Sequence, residues 1–266
     1  MYSLAMSEKG IHRVLILTAV TLAAFTLTAC APEQPNELDE IRSQGTLVVF
    51  GSPDQHNRYM RFMIEEYGEA GLEIVGGRDI DYLTTFAERL GVRLEVKSIS
   101  RDELPSYSRL FDEFVVREDV HILAGAITVT QKREEKGIVF SKEYMGYEES
   151  LLAATGTMTY NSPTDLEGRT AVVMQDSSHQ EMLQSFPVVP NFHIASFYAE
   201  FPELLLREGF FAPLSTERAK QFIRESPGVY EIVHTFPERM RVAFGLKNEG
   251  PLLDELNKFI LETQGY

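Results

Sequence analysis

TVTQKREEKGIVFSKEY, residues 128–144, joins two alternating hydroxyls, Thr128 and Thr130, to an arginine three residues on, Arg133, and closes on Phe140-Ser141-Lys142-Glu143-Tyr144. A strand end bearing both threonines, followed by that lone arginine, can form a polar socket. The hydroxyls donate and accept, and a guanidinium clamps a carboxylate through two parallel bonds. A plainer reading is also open to these residues. In it Thr130 caps a short helix and Arg133 is a solvated side chain of the first turn.

The chain on either side alternates strand-like and helix-like stretches. His121 to Ala126 reads as the strand leading into the socket, and Leu47 to Phe50 as a buried strand after Gly45. Asp79 to Leu90 places Ile80, Leu83, Phe86, Ala87 and Leu90 on one helical face, with Gly91 as its stop. Val92 to Val96 alternates apolar and charged residues as a half-exposed strand does, and Leu104 to Phe114 is expected to be helical. A second series starts near Leu151: a turn at Asp165-Leu166-Glu167-Gly168, a strand over Thr170 to Met174, and a helix start over Gln180 to Ser185. Met240 to Leu246 reads as one strand and Pro251 to Leu261 as a closing helix. Repeated strand–helix–strand units predict a mainly parallel sheet with helices on both faces. The acidic pairs Glu134-Glu135 and Glu148-Glu149 read as solvated.

The order of these pieces resembles the family 3 extracellular solute-binding proteins, receptors of polar amino acid transport. Thr46-Leu47-Val48-Val49 looks like the family's opening strand, and Gly77-Arg78-Asp79-Ile80-Asp81 through Gly91-Val92 is similar to its G-x-D-x-D…A-x-x-L-G-V segment. Thr128 to Arg133 matches T-x-T-x-x-R, Phe140 to Tyr144 matches F-S-x-P-Y with Glu143 in place of the proline, and Asp165 to Gly168 opens a second half. The resemblance implies an α/β, bilobed periplasmic-binding-protein-like (type II) fold, with a hinge and an interlobe cleft. It implies lobe 1 over 45–147 plus 240–266 and lobe 2 over 148–239. Arg133 would hold a ligand carboxylate with Thr128 beside it, and Ser177 and Ser178 would face the ligand from a strand-to-helix turn, unless one of them only caps that helix. Glu217 falls where the family places the acid for a ligand ammonium, or is a first-turn acid of its own helix. Ser52 stands where relatives carry Asp, Gln55 where an aromatic often stacks, and Ala126 where a glycine is usual.

The N-terminus reads as an address. Lys9, His12 and Arg13 precede the apolar run Val14 to Thr26, which is too short to span a bilayer, and small residues lead to Cys30, the sole cysteine. This resembles the lipobox of bacterial lipoproteins. The expectation is a signal peptide over 1–29, then the lipidated Cys30 and a tether over 30–44, anchored on the periplasmic side of a membrane. Ala31 tilts that expectation toward the outer membrane. Removal of Glu8, Lys9 and Arg13 takes one net positive charge from −15, leaving −16. Such a charge disfavours nucleic acid as a partner. With Cys30 consumed, no disulfide is available to staple the fold.

No cofactor or metal is expected. His56, His121, His179, His193 and His234 lack paired ligand spacing, and no nucleophile elbow or phosphate loop is present. The resemblance implies a monomeric, non-enzymatic binding protein for a small amino-acid-like carboxylate, with an ABC permease as partner. A different class is a sensing or regulatory module of cell-wall metabolism. The chain is also similar to the N-terminal, non-catalytic domain of membrane-bound lytic murein transglycosylase F, and it ends at Tyr266 with no catalytic domain expected after it. A dehydratase on the same scaffold is a third, with Glu217 as its only candidate acid or base.

Overall fold

Leu47, Val49 and Phe50 have no solvent exposure, as expected for a strand covered on both faces. The computed structural model describes residues 36–51, 61–63, 73–99 and 106–264. Strand β1 (Thr46–Gly51) sits inside a five-stranded sheet. It pairs in parallel with β4 (Arg93–Ser98) and β5 (Ile122–Leu123). β12 (Gly245–Leu246) then runs antiparallel to β5 and to β6 (Val139–Phe140), giving the order β4-β1-β5-β12-β6. β2 (Arg61–Met63) and β3 (Glu73–Gly76) form a separate antiparallel pair.

Period-2 alternation along β1 divides the core. Leu47 and Val49 face α1 (Glu37–Gln44), α2 (Arg78–Leu90) and α8 (Pro251–Gln264), sharing a cluster with Ile41, Phe86, Leu256 and Ile260. Val48 and Phe50 face α3 (Tyr107–Val116) through Leu110, Phe111 and Phe114. Each such side chain contributes about 1.5–3 kcal/mol by leaving water. Gly91 stops α2 in the left-handed conformation at φ 76°, where its N–H closes on Glu88 O.

The second sheet has the order β11-β7-β10-β8-β9. β8 (Thr170–Met174) pairs in parallel with β9 (Asn191–Ala195) and β10 (Phe210–Ser215). The long strands β7 (Met145–Ala154) and β11 (Tyr230–Val242) extend it antiparallel. Leu152, Val172 and Leu214 pack on α6 (Phe201–Leu205) and α7 (Thr216–Glu225), while Leu151, Val173 and Phe211 pack on the other face with Leu183 of α5 (Ser178–Gln184). The fold is therefore α/β and bilobed, of the periplasmic-binding-protein-like type II kind.

Three expectations need correction. Neither sheet is mainly parallel; each joins a parallel half to an antiparallel half, because the chain re-enters both through β7, β11 and β12. The stretch expected to be tether up to residue 44 is helical from Glu37, since Leu38 and Ile41, one turn apart, are both buried in the first core. Met240 to Leu246 is not one strand. β11 ends at Val242, and the backbone then turns to bond Ile127 O through Ala243 N (3.0 Å) and Ser141 Oγ through Phe244 N (3.0 Å) before β12. The signal peptide, Cys30, Ala31, Ser52 and Gln55 lie outside the described residues.

Candidate functional site

The site is built up from a buried carboxylate. Asp79, in the first turn of α2, is fully buried. Its Oδ2 accepts the N–H groups of Gly125 (2.9 Å) and Ala126 (2.8 Å), and its Oδ1 accepts the Tyr144 hydroxyl (2.8 Å). Burial raises its pKa, against the lowering effect of those hydrogen bonds. The paired amides fix the turn after β5, in which Ala126 takes the left-handed conformation at φ 58° that glycine would adopt freely. Beyond that turn Thr128 is bridged to Val242, and Val129 N bonds Arg241 O at 2.9 Å.

Thr130 and Arg133 then depart from the plainer reading. Thr130 precedes α4 (Gln131–Glu135), but its side chain makes no capping bond, and its buried hydroxyl oxygen has no hydrogen-bond partner. Arg133 is 4% exposed. Its guanidinium lies over the Phe111 ring, 4.6 Å from the centroid, and donates from Nη1 to Thr128 O at 2.5 Å, while its buried Nε is unpartnered. Burial works against its charge and lowers its pKa, against the raising effect of the nearby Glu181 carboxylate.

Opposite this face stand residues of the second sheet. The Tyr147 hydroxyl on β7 lies 3.0 Å from Thr128 Oγ1 and 3.5 Å from Ser178 Oγ, and Ser178 Oγ lies 3.3 Å from Thr128 Oγ1. The three hydroxyls form a triangle that crosses between the two sheets. Its longer edges are weak bonds, open to exchange for a better acceptor. Burial, then the nearby Glu149 carboxylate, drives the Tyr147 pKa upward, so this phenol stays a neutral donor. Ser177 acts as a cap, accepting the Gln180 N–H at 3.2 Å. Asp176 adopts φ 56°, accepts nothing from α5 among the described bonds, and reaches Lys132 across the interface at 3.7 Å. A backbone bond from Tyr107 N to Gln175 O, 3.1 Å, joins the same two faces.

Glu149 is the residue that sequence reasoning missed. It is 1% exposed rather than solvated, whereas its neighbour Glu148 is exposed, because successive β7 side chains point to opposite faces. Oε1 lies 2.7 Å from His179 Nδ1, and the buried Oε2 has no partner. In register, Glu149 pairs with Ser215 of β10. On its other side the β11 ladder jumps from Thr235, opposite Ser150, to Arg239, opposite Glu148, so Phe236-Pro237-Glu238 bulge away there. Bulges of this kind re-aim side chains. Glu217, by contrast, is exposed in the first turn of α7 and pairs with Lys220 at 3.2 Å; no described contact joins it to Arg133, Thr128 or Ser178. Arg133, Thr128 and Ser178 are thus brought together, Ser177 lies next to them as a cap, and Glu217 lies apart.

Among the described residues no cluster of three or more His, Cys, Asp or Glu side chains is placed to hold a metal ion. No described helix is long and apolar enough to cross a membrane.

No protein-family profile matches the chain. Residues of this chain are 28% identical over 170 positions to a membrane-bound lytic murein transglycosylase F of Saccharophagus degradans, covering 64% of this chain and 30% of that protein. The chain therefore spans under a third of that relative's length. In fold it resembles an amino acid ABC transporter substrate-binding protein, AbpA, of Streptococcus pneumoniae bound to L-arginine, with TM-score 0.67 and 19% identity over 85% of this chain and 92% of that one. It also resembles a putative binding component of an ABC transporter from Wolinella succinogenes complexed with lysine, with TM-score 0.67 and 19% identity over 84% and 91%.

Proposed function

We propose that this chain is a solute-binding protein that closes on a small, amino-acid-like carboxylate for uptake through an ABC permease, tethered by lipid at Cys30 on the periplasmic side of a membrane. The observation that carries the reading is Arg133: a guanidinium 4% exposed, with an unpartnered Nε, at the junction of the two sheets. A carboxylate entering there would take a charge-assisted pair of bonds worth roughly 1.5–3 kcal/mol net. Thr128 and Ser178 would exchange their long mutual bond for its oxygens, with Ser177 holding the turn. Lobe 1 is read as 45–147 plus 240–266 and lobe 2 as 148–239. A ligand gripped by both lobes favours the closed population in proportion to its differential affinity.

The likeness to transglycosylase F supports a second reading, in which the same cleft senses a cell-wall fragment and regulates a partner. Both readings share the socket and differ in the ligand. A thermal-shift screen of the soluble chain against amino acids, dicarboxylates and muropeptides separates them. At a ligand concentration of about 100 times Kd, binding adds roughly 2.7 kcal/mol, or about 5–10 °C for a chain of this size. Amino acids as hits support uptake and muropeptides as hits support sensing. A hit that binds Arg133→Ala with unchanged affinity would remove the socket from either reading.

A further inference from the structure

The ends of the two five-stranded sheets are defended unequally. An edge strand presents unpaired N–H and C=O groups, and charged side chains, bulges or extreme shortness normally keep other strands away from it. β4 carries Arg93, Glu95 and Lys97, and β6 has two residues. β11 carries Glu231, Glu238, Arg239 and Arg241 and breaks register twice. β9 has none of these devices. It lies in the longest run without Asp, Glu, Lys or Arg among the described residues, Met182 to Ala199. Val189 is 49% exposed, and Ile194 and Phe197 are each 43% exposed. Asn191 N bonds Arg169 O at 2.9 Å. Alternation therefore turns the backbone groups of Asn191, His193 and Ala195 toward β8 and leaves those of Phe192 and Ile194 directed outward.

We propose that β9 pairs with β9 of a second copy of this chain, antiparallel about a two-fold axis at His193, in place of the monomer that the resemblance implies. Charge selects the occupant. At net −15, two copies repel each other over most of their surfaces, and this edge is where they can meet without apposed carboxylates. A two-fold interface uses the same patch on both partners, so a patch without charge is compatible with itself. A basic partner would be drawn to the acidic surfaces instead and gains nothing at this edge. In the dimer Phe192 of one copy faces Ile194 of the other in a hydrogen-bonded pair, an aromatic–β-branched combination that stabilises cross-strand contacts, and His193 faces its own copy. β9 lies three strand spacings from β7, about 14 Å, so Tyr147 and Glu149 stay clear of the interface.

Sedimentation velocity of the full chain bearing Cys30→Ser, from about 1 to about 300 μM, reads the association; a small, strand-mediated interface predicts half-dimerisation within that range. Ile194→Pro removes an outward N–H while sparing every bond to β8, and should weaken dimerisation about tenfold or more. Ile194→Lys places a charge in both cross-strand pairs and should weaken it to a similar degree. In the same Cys30→Ser background, His193→Cys sets two thiols in a non-hydrogen-bonded pair with Cα atoms about 4.5 Å apart, within disulfide reach. Mild oxidation should then give a covalent dimer, which Thr159→Cys, at an exposed position after β7, should not. If Ile194→Pro fails to fold, Ile194→Lys and His193→Cys decide the question alone. A Cys30→Ser chain that stays monomeric at about 300 μM would overturn the proposal. A dimer unmoved by the Ile194 variants would overturn it too, by placing the contact on another face. So would a His193→Cys chain that cross-links no faster than Thr159→Cys.

Discussion

Asp79→Ala should be among the most damaging single changes in the chain. The carboxylate accepts three hydrogen bonds, from Gly125 N, Ala126 N and the Tyr144 hydroxyl, with no solvent to take its place. Removing it strands three buried donors, each costing about 1–3 kcal/mol, part of which relaxation recovers. Ala126 would also lose the clamp that holds it at φ 58°, a conformation costing roughly 1–2 kcal/mol outside glycine. A loss of about 3–5 kcal/mol is expected, lowering Tm by about 10 °C. Asp79→Asn is the discriminating control. Its oxygen can keep both backbone N–H groups while its amide donates to the Tyr144 oxygen. It also removes a carboxylate whose pKa burial holds above the ordinary 3.8. Because the folded state keeps that proton longer than the unfolded one, the wild type's stability from this group is full below pH 3.8 and declines as pH rises through the raised value. The Asn variant should thus cost no more than about 1–2 kcal/mol near neutral pH and compare less well in acid. Urea unfolding of the three proteins at pH 7 and pH 4 measures both. An Ala variant within about 1 kcal/mol of wild type, or an Asn variant as damaged as Ala, would refute the hydrogen-bond account.

Arg133→Met keeps the volume over Phe111 and removes a desolvated charge with an unmet Nε. The unliganded protein should gain about 1 kcal/mol in urea unfolding while ligand-induced stabilisation disappears; destabilisation of the free protein would count against a socket held ready at a cost. His121 Nδ1 accepts the Val48 N–H at 2.9 Å, and burial, with Lys247 and Lys97 nearby, lowers its pKa below the ordinary 6.5. The folded state resists protonation, so this contribution is present above pH 6.5 and is lost as pH falls through the lowered value. His121→Gln should flatten stability between pH 7 and pH 5, and an unchanged slope would exclude His121 as its source.

Arg133 was legible because its signal is local: two hydroxyls and a cation within six residues, set in a sequence order that also marks α2 and the opening strand. β1, α2, β8 and α8 were legible for the same reason, since apolar periodicity reports a face without naming what covers it. The pairing of strands was not, because β7 and β11 owe their places to partners far along the chain. Glu149 was hidden by its neighbour. Glu148-Glu149 reads as a solvated acidic pair until the strand is known, and only then does alternation send one residue to water and the other inward. His179 carries no spacing signal, since its partner lies thirty residues away on another element. Glu217 had the right charge in a helical first turn, where solvent and Lys220 already satisfy it.

The order of strands in the first sheet has a consequence for biosynthesis. β12 sits between β5 and β6, yet it leaves the ribosome only after every described strand of the second sheet. Until residues 245–246 emerge, β5 is an open edge and β6 has no neighbour to pair with. Gly245 must then enter a space so narrow that a Cβ there would stand 2.9 Å from Ile138. The second sheet can close while the first is still a three-stranded fragment, and α8 follows to cover its core. A nascent chain stalled before residue 245 would expose a ready strand edge to aggregation. Completion of the sheet that lies beside Arg133 thus waits until residues 245–264 have been translated.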